Sequence, residues 1–265
     1  MYNLLRADLF KLRKSTAIKV LVGITVASAS LMAWIAYLIA QGEMDGSMSG
    51  IGFLFSDMNV ISILGAVVAG LLICGDFENK TIHDAIATGR SRGAVILSKA
   101  AVTCIALVVL LLPYAVITGI ALSTDSKFGM GSVSLGFLHV LTAEAGTGLS
   151  IPETARLLAV MLTLMVVYAA QLSITVPLAL VLKKPVLVVA FYYGFSIVCG
   201  QLAALGERSH VLENIMAGTP FGANYTLLTL DTGMGELFQA LSVSLIFIVV
   251  MLALAYSAFR RAEIK

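Results

Sequence analysis

The chain has 265 residues, 59% of them hydrophobic and only 12% charged, with a mean hydropathy of +0.99. Those values make lipid rather than water the solvent for most of the sequence and exclude an ordinary soluble domain. The net charge of +2 gives no ground for a nucleic-acid partner.

Residues 1–16 are polar enough to leave the membrane, yet Tyr2, Leu5, Leu9 and Leu12 recur at the spacing of one helical face. That spacing predicts an amphipathic helix within residues 1–17, lying on the inner membrane surface with Arg6, Lys11, Arg13 and Lys14 turned to anionic lipid headgroups. A basic flank that only sets topology explains the charges but not the leucines. Six apolar runs follow, over 20–40, 58–75, 100–123, 157–182, 186–206 and 237–259, and none contains Asp, Glu, Lys or Arg. About 20 helical residues cross a hydrocarbon core of roughly 30 Å, so each run is long enough to span. The first is too long for a signal-peptide core and is followed by five more. The expected fold is therefore all-α and polytopic: one transmembrane domain over 1–265 with six membrane helices.

Charge sets the expected orientation. With residues 1–19, 76–99, 183–184 and 260–265 on one side, that side holds fourteen of the 17 basic residues and five acids, a balance of +9. The other side holds three basic residues and ten acids, a balance of −7. Lys and Arg in short loops are retained in the cytoplasm, so both termini and the 76–99 loop are expected there, with the chain in a bacterial inner membrane.

The remaining segments follow in chain order. The outer loop 41–57 is rich in Gly, Ser and Met and reads as mobile. On the second run, Gly65, Ala69, Gly70 and Cys74 make a stripe of small residues that suits either a seam between two copies or packing within one. Pro113 and Pro177 are expected to kink the third and fourth runs. The outer segment 124–156 contains an apolar stretch, 135–143, too short to span and read as an interfacial helix. The outer segment 207–236, with Pro220, Gly222 and Tyr225, is expected to dip into the membrane edge. Cys74, Cys104 and Cys199 fall in spans and read as small packing residues, with no disulfide. His83, His139 and His210 lie apart without metal-ligand spacing, so no catalytic or metal site is expected. Asn59, Gln171, Gln201 and Gln239 read as hydrogen-bond partners between helices.

The most informative loop is 76–99, DFENKTIHDAIATGRSRGAVILSK. Thr81 followed by Asp84 predicts a helix start of the capping-box kind. Ile82, Ala85 and Ile86 then share one face, Asp84 suits the positive end of the helix dipole, and Gly89 can take the left-handed conformation that stops the helix. Ser91 is placed to cap the next one. A stripe this short either rests on lipid or fits a groove on a partner.

Two segments, LLRADLFKLRKS and the 76–99 loop, resemble the signature regions of membrane subunits of ABC transporters of the type-2 (exporter) class. In that family the opening segment is a short surface helix with an acid and spaced basic residues. The loop carries an acid, a turn, a Thr at a short helix, a Gly-x-Ser-Arg break and a Lys, matched here by Asp76, Glu78, Thr81, Gly89, Ser91, Arg92 and Lys99. This chain has Asp8 where Glu is commoner and Lys80 at a turn position often held by Gly. The resemblance implies that the short helix is a coupling helix docking into a cytoplasmic ATPase through Glu78, Thr81, Ile82, Asp84, Ala85, Ile86, Gly89 and Arg92. It also implies a second permease copy or paralogue.

No GxxxxGK[ST] phosphate loop occurs, so ATP and Mg are expected on a partner subunit and no cofactor or hydrolysis in this chain. The leading reading is a permease subunit for an amphipathic or hydrophobic substrate: a peptide antibiotic, a lipid or a drug. One alternative is an ion-coupled secondary transporter or channel, which needs ionisable groups at bilayer depth that the span centres lack. Another is a non-transporting sensor or immunity protein.

Overall fold

A computed structural model describes residues 2–46, 49–124, 126–130, 134–146, 150–206 and 209–261. Of the charges counted above, Asp125, Glu207, Arg208, Glu263 and Lys265 lie outside the described residues, as do the side chains of Arg261 and Tyr2.

The described residues are helical and contain no strand. In chain order the helices are α1 (Tyr2–Lys14), α2 (Thr16–Gln41), α3 (Ser49–Leu54), α4 (Asp57–Ala69), a π turn (Gly70–Cys74), α5 (Gly75–Glu78), α6 (Thr81–Ala87) and α7 (Arg92–Leu122). There follow α8 (Gly136–Ala143), α9 (Ile151–Leu172), α10 (Thr175–Leu182), α11 (Pro185–Gly206), α12 (His210–Ala217), a 3-10 turn (Ala223–Tyr225) and α13 (Met234–Arg261). Six stretches are long and apolar enough to cross a membrane: Thr16–Gln41, Gly50–Glu78, Arg92–Leu122, Ile151–Leu182, Pro185–Ala203 and Met234–Arg260. The chain is thus an all-α, multi-pass membrane protein, as its hydropathy requires.

Local chemistry accounts for the interruptions. The fourth span breaks at Ser173 and Ile174, because Pro177 has no N–H to return to the Ser173 carbonyl. Pro113, by contrast, sits inside an unbroken α7. The π turn in the second span inserts one residue into the helical ladder where Gly70 passes Pro185: a Cβ on Gly70 would lie 3.1 Å from the Pro185 Cα. Gly65 is as crowded, with a Cβ falling 2.6 Å from Leu172 Cδ1. Gly65, Ala69, Gly70 and Cys74 are all buried inside the chain, so the small-residue stripe serves internal packing and not a seam between copies.

The spans are buried unequally. Of the most apolar window of each, 72% is buried in the fourth span and 61% in the second and third, against 17% in the fifth and sixth. The core lies among α2, α4, α7 and α9, around Met32, Ile61, Leu107, Leu110, Leu111 and Tyr114. The α13 helix packs on α9 and α10, and α11 on α4. The start of α1, the end of α13, α6 and the Lys183 turn meet at one end of the bundle, here the terminal face. There the Arg92 guanidinium donates to the carbonyls of Phe259 and Arg260, and the Lys183 ammonium stands 5.3 Å from the Phe77 ring centre.

At the opposite end, the far face, two expectations change. The stretch 135–143 does form a helix, but α8 is enclosed by α2, α4, α7 and α9 rather than lying at an interface. The side chain of Asn59 donates to the main-chain carbonyl of Phe53 and so joins α4 to α3 as expected, whereas that of Gln171 donates to the carbonyl of Pro220 and holds a far-face segment instead of a neighbouring helix.

Candidate functional site

The site grows from three elements at the terminal face. Along α1, Leu12 is buried and Leu5 and Leu9 pack against the core, while Arg6, Arg13 and Lys14 are exposed. The leucine face thus lies on the chain's own α7. That face also carries Asp8 inward, where it is 4% exposed. A lone buried carboxylate would cost several kcal/mol, so it requires a partner.

The partner is Lys99, 7% exposed and in the second turn of α7. Its ammonium donates to Asp8 Oδ1 at 2.7 Å and to Asp76 Oδ2 in a short contact. Asp76 ends the second span and accepts further from Thr81 Oγ1 at 2.6 Å and from Lys11 Nζ at 3.1 Å. Ser98 Oγ donates to the second oxygen of Asp8 at 3.1 Å. Two carboxylates and two ammonium groups thus balance to zero, with Asp8, Asp76 and Lys99 buried and Lys11 half-exposed. They join α1, the second span, α6 and the third span. The cluster itself lines one side of a cavity of about 400 Å³, whose apolar wall includes Ile18, Leu71, Leu72 and Val102.

This cluster fixes α6, and it corrects several assignments. Thr81 is the first helical residue rather than the cap, and its hydroxyl donates to Asp76. The cap position belongs to Lys80, held at φ 57°, where most side chains are strained and Gly is usual. Ile82 is 1% exposed and packs with Ile73, Cys74, Val95 and Ile96. The stripe therefore enters the chain's own core, a third possibility beside lipid and a partner groove. Ala85 and Ile86 are partly buried against the same cluster. Arg92 is engaged with Phe259 and Arg260, its guanidinium 5.8 Å from the Phe259 ring centre.

The helix ends as the local chemistry dictates. Gly89, at φ +85°, and Arg90 donate their N–H groups back to the carbonyls of Ile86 and Ala85, the paired bonds of a Schellman stop. Ser91 Oγ then accepts from the Ala94 N–H and starts α7. What remains exposed is a strip comprising Glu78, Asn79, Lys80, Asp84, Ala87, Thr88, Gly89 and Arg90. Of the eight residues assigned to partner docking, Glu78, Asp84 and Gly89 lie on it, Thr81, Ala85, Ile86 and Arg92 are half-buried, and Ile82 is buried.

Asp76 and Lys99 belong to the loop pattern, but no local signal in the sequence pairs them with each other or with Asp8. Lys99 stands at the start of an apolar run, which is a signal that a charge there needs a buried counter-ion. Elsewhere, His139 shares a hydrogen between Nδ1 and Ser134 Oγ at 3.2 Å. Burial holds its imidazole below the ordinary value, against the pull of Glu144. Among the described residues no group of three or more His, Cys, Asp or Glu is placed to hold a metal. Comparison with protein-family profiles and with curated proteins finds no match to this chain.

Proposed function

We propose that the chain is the permease subunit of an ATP-driven exporter of the ABC type-2 class, working with a separate ATPase. The observation that carries the reading is the mounting of α6. This short helix is bolted to two spans and to α1 through Asp76, Thr81, Lys99, Asp8 and the buried Ile82, and it leaves one polar strip open. A helix so braced transmits a push into the bundle instead of absorbing it. The ATPase occupies the strip, and its ATP-driven closure moves α6 with the ends of the second and third spans.

The other parts of the reading have their own support. The balance of +9 against −7 makes the terminal face cytoplasmic in a bacterial inner membrane. Arg6, Arg13 and Lys14, exposed on α1, meet anionic lipid. The sparsely buried fifth and sixth spans leave apolar surface for a second permease copy or paralogue, as well as for lipid. An apolar interior suits an amphipathic or hydrophobic cargo such as a peptide antibiotic, a lipid or a drug.

Asp57 is the observation that favours the second reading, ion-coupled transport: it lies within the second span and is fully buried. Its donors are main-chain N–H groups and one tyrosine, which makes it a helix cap before it is an ion carrier. The test is co-expression with the ATPase encoded beside it. The chain is expected to co-purify with that subunit in equal ratio and to show no ATP turnover alone. Robust turnover by the isolated chain, or export that stops on collapse of the ion gradients while ATP persists, overturns the reading.

A further inference from the structure

Between the third and fourth spans the chain turns back into the bundle as α8, eight residues and about 12 Å long. Phe137, Leu138, Val140 and Leu141 are each 0% exposed. The N-terminus of α8 abuts the carboxylate of Asp57. Phe137 N–H donates to Oδ2 at 3.0 Å, Leu138 N–H to Oδ1 at 3.4 Å, and the Tyr168 hydroxyl makes a short bond to Oδ2. No basic side chain pairs with Asp57 among the described residues. The unpaired N–H groups and positive dipole end of a helix compensate a carboxylate without a cation.

Gly136 permits this approach. Its φ is +63°, and a Cβ there would lie 2.1 Å from both Asp57 Oδ2 and the Tyr168 hydroxyl. The Gly136 N–H donates to the Thr226 carbonyl at 2.7 Å, and beyond the other end of α8 the Leu230 N–H donates to Glu144 Oε1 at 2.7 Å. Both ends of α8 are therefore tied to the segment leading into α13, whose last turn receives Arg92 beside α6. Close by, Tyr114 donates to the Phe55 carbonyl and its hydroxyl also meets Ser28, midway along α2. The hydroxyls of Ser56, next to Asp57, and of Thr118, one turn from Tyr114, are buried without a hydrogen-bond partner among the described residues.

We propose that α8 is a plug closing the bundle toward the far face, and that Asp57 is the positioning residue that latches it. The plug is held at its ends by hydrogen bonds and in its middle by apolar contact. When it lifts, Asp57 hydrates and the hydroxyls of Ser56 and Thr118 gain water, which offsets part of the lost contact. The inference concerns the path through this chain and stands whether or not an ATPase drives it.

The experiment needs no substrate. In protein reconstituted in nanodiscs, with Cys104 and Cys199 replaced by Ala, Ser28→Cys reports access beneath the plug to a water-soluble maleimide. Native Cys74, fully buried near the terminal face, is the internal control. Labelling at position 28 is expected to be slow with the latch intact. It should become about tenfold faster with Tyr168→Phe, which removes one charge-assisted bond and keeps the ring, and faster still with Asp57→Asn. Cys74 should be unchanged in both. Unaltered labelling at position 28 in both variants overturns the plug, whatever happens to the melting temperature. Equal acceleration at positions 28 and 74 overturns it too, because it marks general loosening.

Discussion

Asp57 and Asp76 lie on the same span, nineteen residues or about 28 Å apart along it, and both are buried. Each is compensated by a different device. Asp76 is held by Lys99, Lys11 and the Thr81 hydroxyl in a network of opposite charges that ties four elements together. Asp57 is held by two main-chain N–H groups and Tyr168, and what it secures is one short helix. The contrast shows where rigidity sits. At the terminal face a charge cannot move without stranding its partners, whereas at the far face the carboxylate can exchange a helix end for water.

The strongest way to break the comparison is to remove the shared cation. Lys99→Ala leaves Asp8 and Asp76 buried beside each other and should destabilise the protein by about 3–5 kcal/mol, the cost of stranding buried charge. Thermal unfolding in detergent, with membrane level as a second readout, checks it. At the far face Asp57→Asn keeps the shape and one acceptor oxygen, so the loss should be smaller, about 1–3 kcal/mol, by the same assay. If the two losses come out equal, the difference between charge pairing and dipole capping has no energetic meaning here.

The two regions also differ in how far the sequence displayed them. The six spans and the stop at Gly89 with the cap at Ser91 were legible, because hydropathy, glycine conformation and cap chemistry act locally. The pairing of Asp8 with Lys99 is a contact across 91 positions, and no periodicity reports it. The inward turn of Ile82 was hidden for the same reason: a short apolar stripe states that it will be covered, not by what. The far-face latch was harder still. Asp57 sits where a polar loop meets an apolar run, so it read as a loop acid, and its partners are main-chain groups that any sequence provides. The stretch 135–143 showed its apolar character and helical length, but its depth follows only from the space left among four other helices.

The central claim is that α6 presents its polar strip to an ATPase while its apolar side belongs to this chain. Substitution of Ile82 cannot test it, since a charge there disrupts the core. Glu78→Lys with Asp84→Lys changes only exposed side chains, and the helix-dipole penalty at Asp84 is about 0.3–1 kcal/mol. The direct measurement is co-purification of the ATPase with this double variant, at membrane levels matched to the unsubstituted chain. The account predicts that the ATPase is lost from the complex while the permease remains folded and inserted. Full retention of the ATPase, with undiminished ATP turnover, would contradict it.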